Sequence, residues 1–173
     1  MINRCILLFP KFENMHLIDR IREQYDPVAK LVQPHITLVF PFESDISTAE
    51  LRAHMTSALT GTSPFEVVLR NIAPAPDRYL FLHVQKGVAE ITMLHEKLYT
   101  GLLWPFYPNW LQSVTFLPHM TVGRFEDDAS WGLAANKLKG ITDEFQTIVD
   151  TVHVEIIDLQ NEDSTIEMSI PLG

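Results

Sequence analysis

At 173 residues, 46% of them hydrophobic and 20% charged, the chain suits one domain that buries about two thirds of the surface its unfolded form exposes. A net charge of −9 and a pI near 5.1 work against a broad positive face for long DNA or RNA, while leaving room for a small anionic substrate in a locally positive cleft. Cys5 is the single cysteine, so an internal disulfide is excluded; no apolar run is long enough to span a bilayer, and Cys5 to Phe9 is too short for a signal peptide, so a cytoplasmic protein without membrane contact is expected.

Arg4 to Phe9 reads as an apolar strand stopped by Pro10, and Met15, Ile18, Ile21 and Tyr25 fall at helical spacing up to Asp26-Pro27. Pro34 to Phe40 follows as a strand closed by Pro41. Ser47-Thr48-Ala49-Glu50 is a capping box, with Ile46 and Leu51 placed as a hydrophobic staple, and it opens a helix that runs to Gly61. Phe65 to Ile72 and Tyr79 to Val84 are strand-like runs around Pro74-Ala75-Pro76-Asp77. A helix is predicted from Val88 to about Leu102, then an aromatic, proline-broken loop from Trp104 to Trp110, then a strand from about Val114 to Phe125. Asp128 is placed to cap a short helix ended by Gly140. Phe145 to Leu159 and Thr165 to Ile170 alternate as strands around a turn at Asn161-Glu162-Asp163-Ser164.

One pattern occurs twice. Pro34-His35-Ile36-Thr37-Leu38 and Pro118-His119-Met120-Thr121-Val122 both read Pro-His-apolar-Thr-apolar, with the histidines 84 positions apart. Period-two alternation places His35 and Thr37 on one strand face and Ile36 and Leu38 on the other, and the same holds for the second copy. Each half of the chain also reads helix, motif strand, helix, strand, strand. The expected architecture is therefore α+β: a duplicated, bilobal domain over 1–173, with pseudo-symmetric lobes of roughly 1–87 and 88–173. Two mostly antiparallel sheets with outer helices would flank a central cleft.

Two imidazoles facing each other across a small anion suit phosphodiester transfer, which needs one group to take a proton and another to give one, on opposite sides of phosphorus. With an ordinary pKa of about 6.5, one imidazole can be neutral while the other is protonated. The threonine hydroxyls can donate to the non-bridging oxygens, and no metal or other cofactor is required.

On these two motifs the chain resembles the two-histidine (2H) phosphoesterase superfamily, and within it the 2′-5′ RNA ligase-like proteins. The resemblance implies catalytic His35 and His119 and phosphate-binding Thr37 and Thr121. It also implies substrates such as a 2′,3′-cyclic phosphate, a 2′-5′ linkage or a similar small nucleotide or RNA end, in hydrolysis or in reversible ligation or cyclisation. The alternative is a non-catalytic nucleotide- or RNA-binding module of the same fold. Arg124 matches the basic residue that often follows the second motif and is a candidate substrate contact. Strict alternation places it on the face opposite His119, unless Gly123 permits a bulge. The first copy carries Phe40 at the same offset.

The remaining features have plainer expectations. Neither His-x-x-x-His nor a cysteine pair is present, so no metal site is expected. Cys5 reads as core, and His16, His54, His83, His95 and His153 read as structural. Of these His83 shares a strand face with Tyr79 and Phe81. Arg4 and Lys11 join Arg124 as cations available to a cleft. The Trp104 to Trp110 loop can stack a nucleobase or fill the seam between lobes, and the seam is the expected role.

Overall fold

The computed structural model describes residues 1–160 and 163–173. Strand β1 (Ile2–Leu8) lies inside the sheet, and Cys5, Ile6, Leu7 and Leu8 are all at most 5% exposed. A strand covered on both faces reads as a continuous apolar run rather than an alternating one. Helix α1 (Met15–Tyr25) buries Ile18 and Ile21 and stops at Asp26-Pro27, as its spacing predicts. Strand β2 (Ile36–Ser44) continues past Pro41, because that proline is exposed at a register irregularity where no ladder donor is needed. Helix α2 (Thr48–Leu59) starts on the expected capping box: the Ser47 hydroxyl accepts from the Glu50 amide, and the Glu50 carboxylate accepts from the Ser47 amide at 3.0 Å.

Strands β3 (Phe65–Ala75) and β4 (Tyr79–Lys86) form the anticipated hairpin. Helix α3 (Val88–Leu98) is shorter than its apolar seam suggests; Gly101 takes a left-handed backbone, and two 3₁₀ turns, Gly101–Phe106 and Asn109–Ser113, occupy the aromatic stretch. Strand β5 (His119–Arg124) begins at the histidine rather than near Val114, since the preceding residues pair with no strand. Helix α4 (Asp128–Leu138) is capped by Asp127, not Asp128. Asp127 has the extended backbone a cap requires and accepts from the Ser130 amide at 2.8 Å. The long run from Phe145 splits into β6 (Phe145–Val149) and β7 (Thr151–Asp158) at Asp150, whose carbonyl accepts from the Leu172 amide at 2.7 Å. Strand β8 (Asp163–Pro171) completes the chain; Asn161 and Glu162 of the predicted turn lie outside the described residues.

The strand order is β6-β3-β4-β5-β2-β1-β7-β8, antiparallel throughout. The two four-stranded halves meet edge to edge at one described ladder pair, Ile36 with Met120. Each half takes two strands from each half of the chain, so a boundary near residue 87 does not separate the lobes. The repeating unit is instead a β-α-β run, β1-α1-β2 and β4-α3-β5, and α1 packs on β5 while α3 packs on β2. Each repeat thus covers the other's motif strand from behind. No described helix is long and apolar enough to cross a membrane.

Behind the first motif, Arg22 and Asp26 form a buried ion pair at 2.8 Å, and Arg22 also donates to the Val32 carbonyl at 2.9 Å. These contacts pin the loop that leads into β2. Arg22→Ala strands a buried carboxylate and is expected to cost about 3–5 kcal/mol, read as a lower urea midpoint; an unchanged midpoint would show that the pair carries no such load.

Candidate active site

Residues directly opposed in an antiparallel pair project to the same face, so the Ile36–Met120 pair fixes the sides of everything near it. Ile36, Leu38, Met120 and Val122 are fully buried in the apolar core. His35, Thr37, His119 and Thr121 are half-buried on the other face. Extending the register one residue each way sets His35 across from Thr121 and Thr37 across from His119. All four side chains predicted from the two motifs therefore gather at the single point where the two half-sheets touch.

The two imidazoles are oriented in the same manner. His35 Nδ1 lies 2.7 Å from the Gln33 carbonyl, and His119 Nδ1 lies 2.7 Å from the Leu117 carbonyl. A carbonyl oxygen only accepts, so each Nδ1 carries a proton and each Nε2 is left as the titrating atom on the open side. Burial lowers the pKa of His35 below the usual range, opposed by its bond to Gln33. His119 is lowered by burial first, opposed by its bond to Leu117, and lowered further by the neighbouring His83 and His35. Protonating one member therefore disfavours the second proton, which widens the range in which the pair holds one.

Both motif strands carry the same irregularity. β1 pairs Leu7 with Thr37 but Ile6 with Val39, and β4 pairs Phe81 with Thr121 but Leu80 with Gly123. One residue is bulged in each case, so Leu38 and Val39 both turn into the core, as do Val122 and Gly123. Arg124, opposite Tyr79, is thereby returned to the histidine face, against the strict alternation expected. Gly123 also suits close packing: a Cβ there would meet Tyr25 Cβ of α1 at 3.2 Å and Phe125 Cε2 at 3.1 Å. Arg124 is exposed and makes no ion pair among the described residues.

Arg4, by contrast, is fully buried in a bidentate bond to Glu167, at 2.7 and 2.8 Å, and is not available to the cleft. Lys11 lines a depression of about 490 Å³ with Phe9, Gln33 and His153, beside His35. A larger depression, about 620 Å³, lies by β6, where Glu13, Glu66 and Glu144 disfavour an anion. Burial pushes the Cys5 thiol up to about 12, with Glu155 adding to the effect, so it is no nucleophile. His95 is structural, as expected: its Nδ1 donates to the Leu38 carbonyl at 2.7 Å and its ring stacks on Phe116. No described group of three or more His, Cys, Asp or Glu side chains is placed to hold a metal ion.

Three neighbours of the motif histidines could not be placed from the sequence, because strand register decides them. Phe81 stacks on His119 with centroids 3.5 Å apart and planes 15° from parallel. His83 is the ladder partner of His119, and Phe9 sits edge-on to His35 at 6.3 Å. The shared strand face of Tyr79, Phe81 and His83 was the one available signal. In the aromatic loop Phe106 and Tyr107 pack on the core, whereas Trp104 and Trp110 are 65% and 55% exposed.

A fold of this kind, with paired His-x-Thr strands meeting edge to edge, defines a two-lobed α+β class. The family profile described as the 2′-5′ RNA ligase superfamily matches residues 10–161, and the chain belongs to that superfamily. A curated Bacillus cereus (strain G9842) protein named "Putative phosphoesterase" is 28% identical over 97% of this chain and 95% of its own length. A Bacillus mycoides (strain KBAB4) protein of the same name is 27% identical over the same shares. Among solved structures, E. coli LigT complexed with 3′-AMP aligns over 99% of this chain and 98% of that one at a TM-score of 0.66 and 16% identity. A Thermus thermophilus protein aligns over 98% of this chain and 97% of its own at a TM-score of 0.69 and 16% identity. These structures share the fold.

In ¹⁵N-detected spectra near pH 7.5, His35 and His119 are both expected as the Nδ1–H tautomer, with titration midpoints below about 6.5. As pH falls below that value the unfolded chain takes up these protons before the folded one, so stability falls with pH there and is unaffected above it. Replacing both histidines with glutamine should reduce that acid slope; midpoints above 6.5 would contradict the assignment.

Proposed function

We propose that the chain is a metal-independent phosphodiesterase acting on a small nucleotide phosphodiester, such as a 2′,3′-cyclic phosphate or a 2′-5′ linkage. The observation that carries this reading is the convergence of His35, Thr37, His119 and Thr121 on one face around the Ile36–Met120 pair. One Nε2 takes a proton from the attacking water or hydroxyl as its oxygen bonds to phosphorus. The opposite P–O bond breaks, and the other histidine gives its Nε2 proton to the departing oxygen. One proton is taken up and one released, so the pair ends with the roles exchanged, and the reverse step is cyclisation or ligation. Thr37 and Thr121 donate to the non-bridging oxygens, where charge must be held.

The names of the Bacillus relatives support phosphoester chemistry. The solved complexes of LigT with 3′-AMP, ATP and NADP+ support a ligand of nucleotide size. Arg124, returned to the site face by the bulge at Val122, is proposed to contact the substrate, and Lys11 adds positive potential on the His35 side. A cytoplasmic location is part of the same proposal.

With a panel of cyclic phosphates and 2′-5′ dinucleotides in chelator, turnover is expected, with a bell-shaped pH dependence. His35→Ala and His119→Ala should each lower kcat/KM by about 10²–10⁴-fold, with circular dichroism unchanged. Thr37→Val or Thr121→Val should lower kcat by on the order of 10²-fold. Full activity in the double histidine variant would sink the proposal, and tight nucleotide binding without any product would assign the chain to the non-catalytic binding module instead.

A further inference from the structure

The two halves of the site share a pattern through the third residue after each histidine and differ most at the fifth, where one strand carries Phe40 and the other Arg124. The matching bulges turn both positions onto the histidine face. Extended from Ile36–Met120, the antiparallel register carries Phe40 beyond Thr37 to the end of the cleft held by His119. It carries Arg124 beyond Thr121 to the end held by His35. A site built by duplication therefore has an aromatic end and a cationic end.

The aromatic end is built from two segments. Phe40 is half-buried and stays out of the apolar core. Its ring meets Trp110 edge-on, with centroids 4.9 Å apart and planes at 77°. Trp110 is 55% exposed, yet it is held in place: it lies in the Asn109–Ser113 turn, where Leu111 is 3% exposed and the Ser113 hydroxyl donates to the Trp110 carbonyl at 2.9 Å. The chain then runs through Leu117, whose carbonyl orients His119, into β5. A large ring fixed beside the reacting centre and left half in water has an open face for another flat ring.

In-line displacement sets the incoming and departing oxygens on opposite sides of phosphorus. The group bonded to phosphorus on the His119 side must project toward Phe40 and Trp110, and the group on the His35 side toward Arg124. We propose that Phe40 and Trp110 form a platform that stacks the nucleobase of the alcohol on the His119 side, and so select a phosphodiester bearing a ring there over one bearing a simple alkyl group. This rests on the phosphodiesterase reading above and adds the residues that set its specificity.

The test compares two substrates that differ only in that alcohol: a 2′-5′ adenylyl dinucleotide and the 2′-(methyl phosphate) of adenosine. The wild type is expected to favour the dinucleotide. Trp110→Ala should lower the ratio of the two kcat/KM values by about 5- to 150-fold, the range expected for one base stacked on an aromatic ring. Trp110→Phe should restore most of it, and Trp104→Ala, which removes an exposed ring that does not touch Phe40, should leave the ratio alone. An unchanged ratio in Trp110→Ala, or an equal loss on both substrates, overturns the platform while leaving the phosphodiesterase reading intact. Should the wild type turn over neither substrate, the platform is decided by fluorescence. Quenching by the dinucleotide that disappears in Trp110→Phe supports it, and the absence of quenching overturns it.

Discussion

One ladder pair holds the site together. Where Ile36 of β2 meets Met120 of β5, two antiparallel half-sheets that share no other described pairing are joined edge to edge. Both side chains are fully buried, and this apolar contact fixes the opposite face of the same backbone. In an antiparallel pair the residues flanking a buried couple must face the other way, so two histidines and two threonines from distant parts of the chain are brought together without any direct bond among them. A slip of one residue would turn all four inward and expose the apolar set, a large loss of burial that specifies the register strongly.

Because the half-sheets part beyond this pair, the backbone of β2 needs other partners. Helix α3 and its C-cap supply them: His95 donates to the Leu38 carbonyl at 2.7 Å, and the Phe40 amide donates to the Tyr99 hydroxyl oxygen at 3.0 Å. Burial raises the Tyr99 phenol to about 12, so it stays neutral in this role. On the first strand's approach, the buried Arg22–Asp26 pair does comparable work by fixing the loop that ends in the Gln33 carbonyl. The α3 contacts reach across from the other repeat, and α1 packs in turn on β5, so each motif strand is backed by the helix of the opposite repeat.

The two motifs supply a matched pair of imidazoles, and departures from the match make their surroundings unequal. His119 is flanked by His83 and stacked on Phe81, whereas His35 has Phe9 at its side and an ion pair behind it. The two imidazoles thus sit in different fields although their backbone settings are the same. Phe40 and Arg124 extend the contrast to the two ends of this face.

The sequence by itself determined the parts whose physics is local. Period-two alternation assigned a polar and an apolar face to each motif strand, the Ser47–Glu50 capping box located α2, and the repeated Pro-His-x-Thr pattern named four side chains that the fold gathers on one face. Differences came where a tertiary contact overrides the local signal: β2 runs through Pro41 because a bulge frees that position from pairing, and the halves interleave because β7 pairs with β1 and β6 with β3 across the middle of the chain. The position of Arg124 shows the limit most clearly. Its side depends on one unpaired residue at Val122, and a bulge is a property of two strands in register, which no single stretch of sequence contains. The same holds for Phe81, His83 and Trp110, whose places beside the site follow from strand pairing and from the path of a loop across β2 rather than from any pattern of their own.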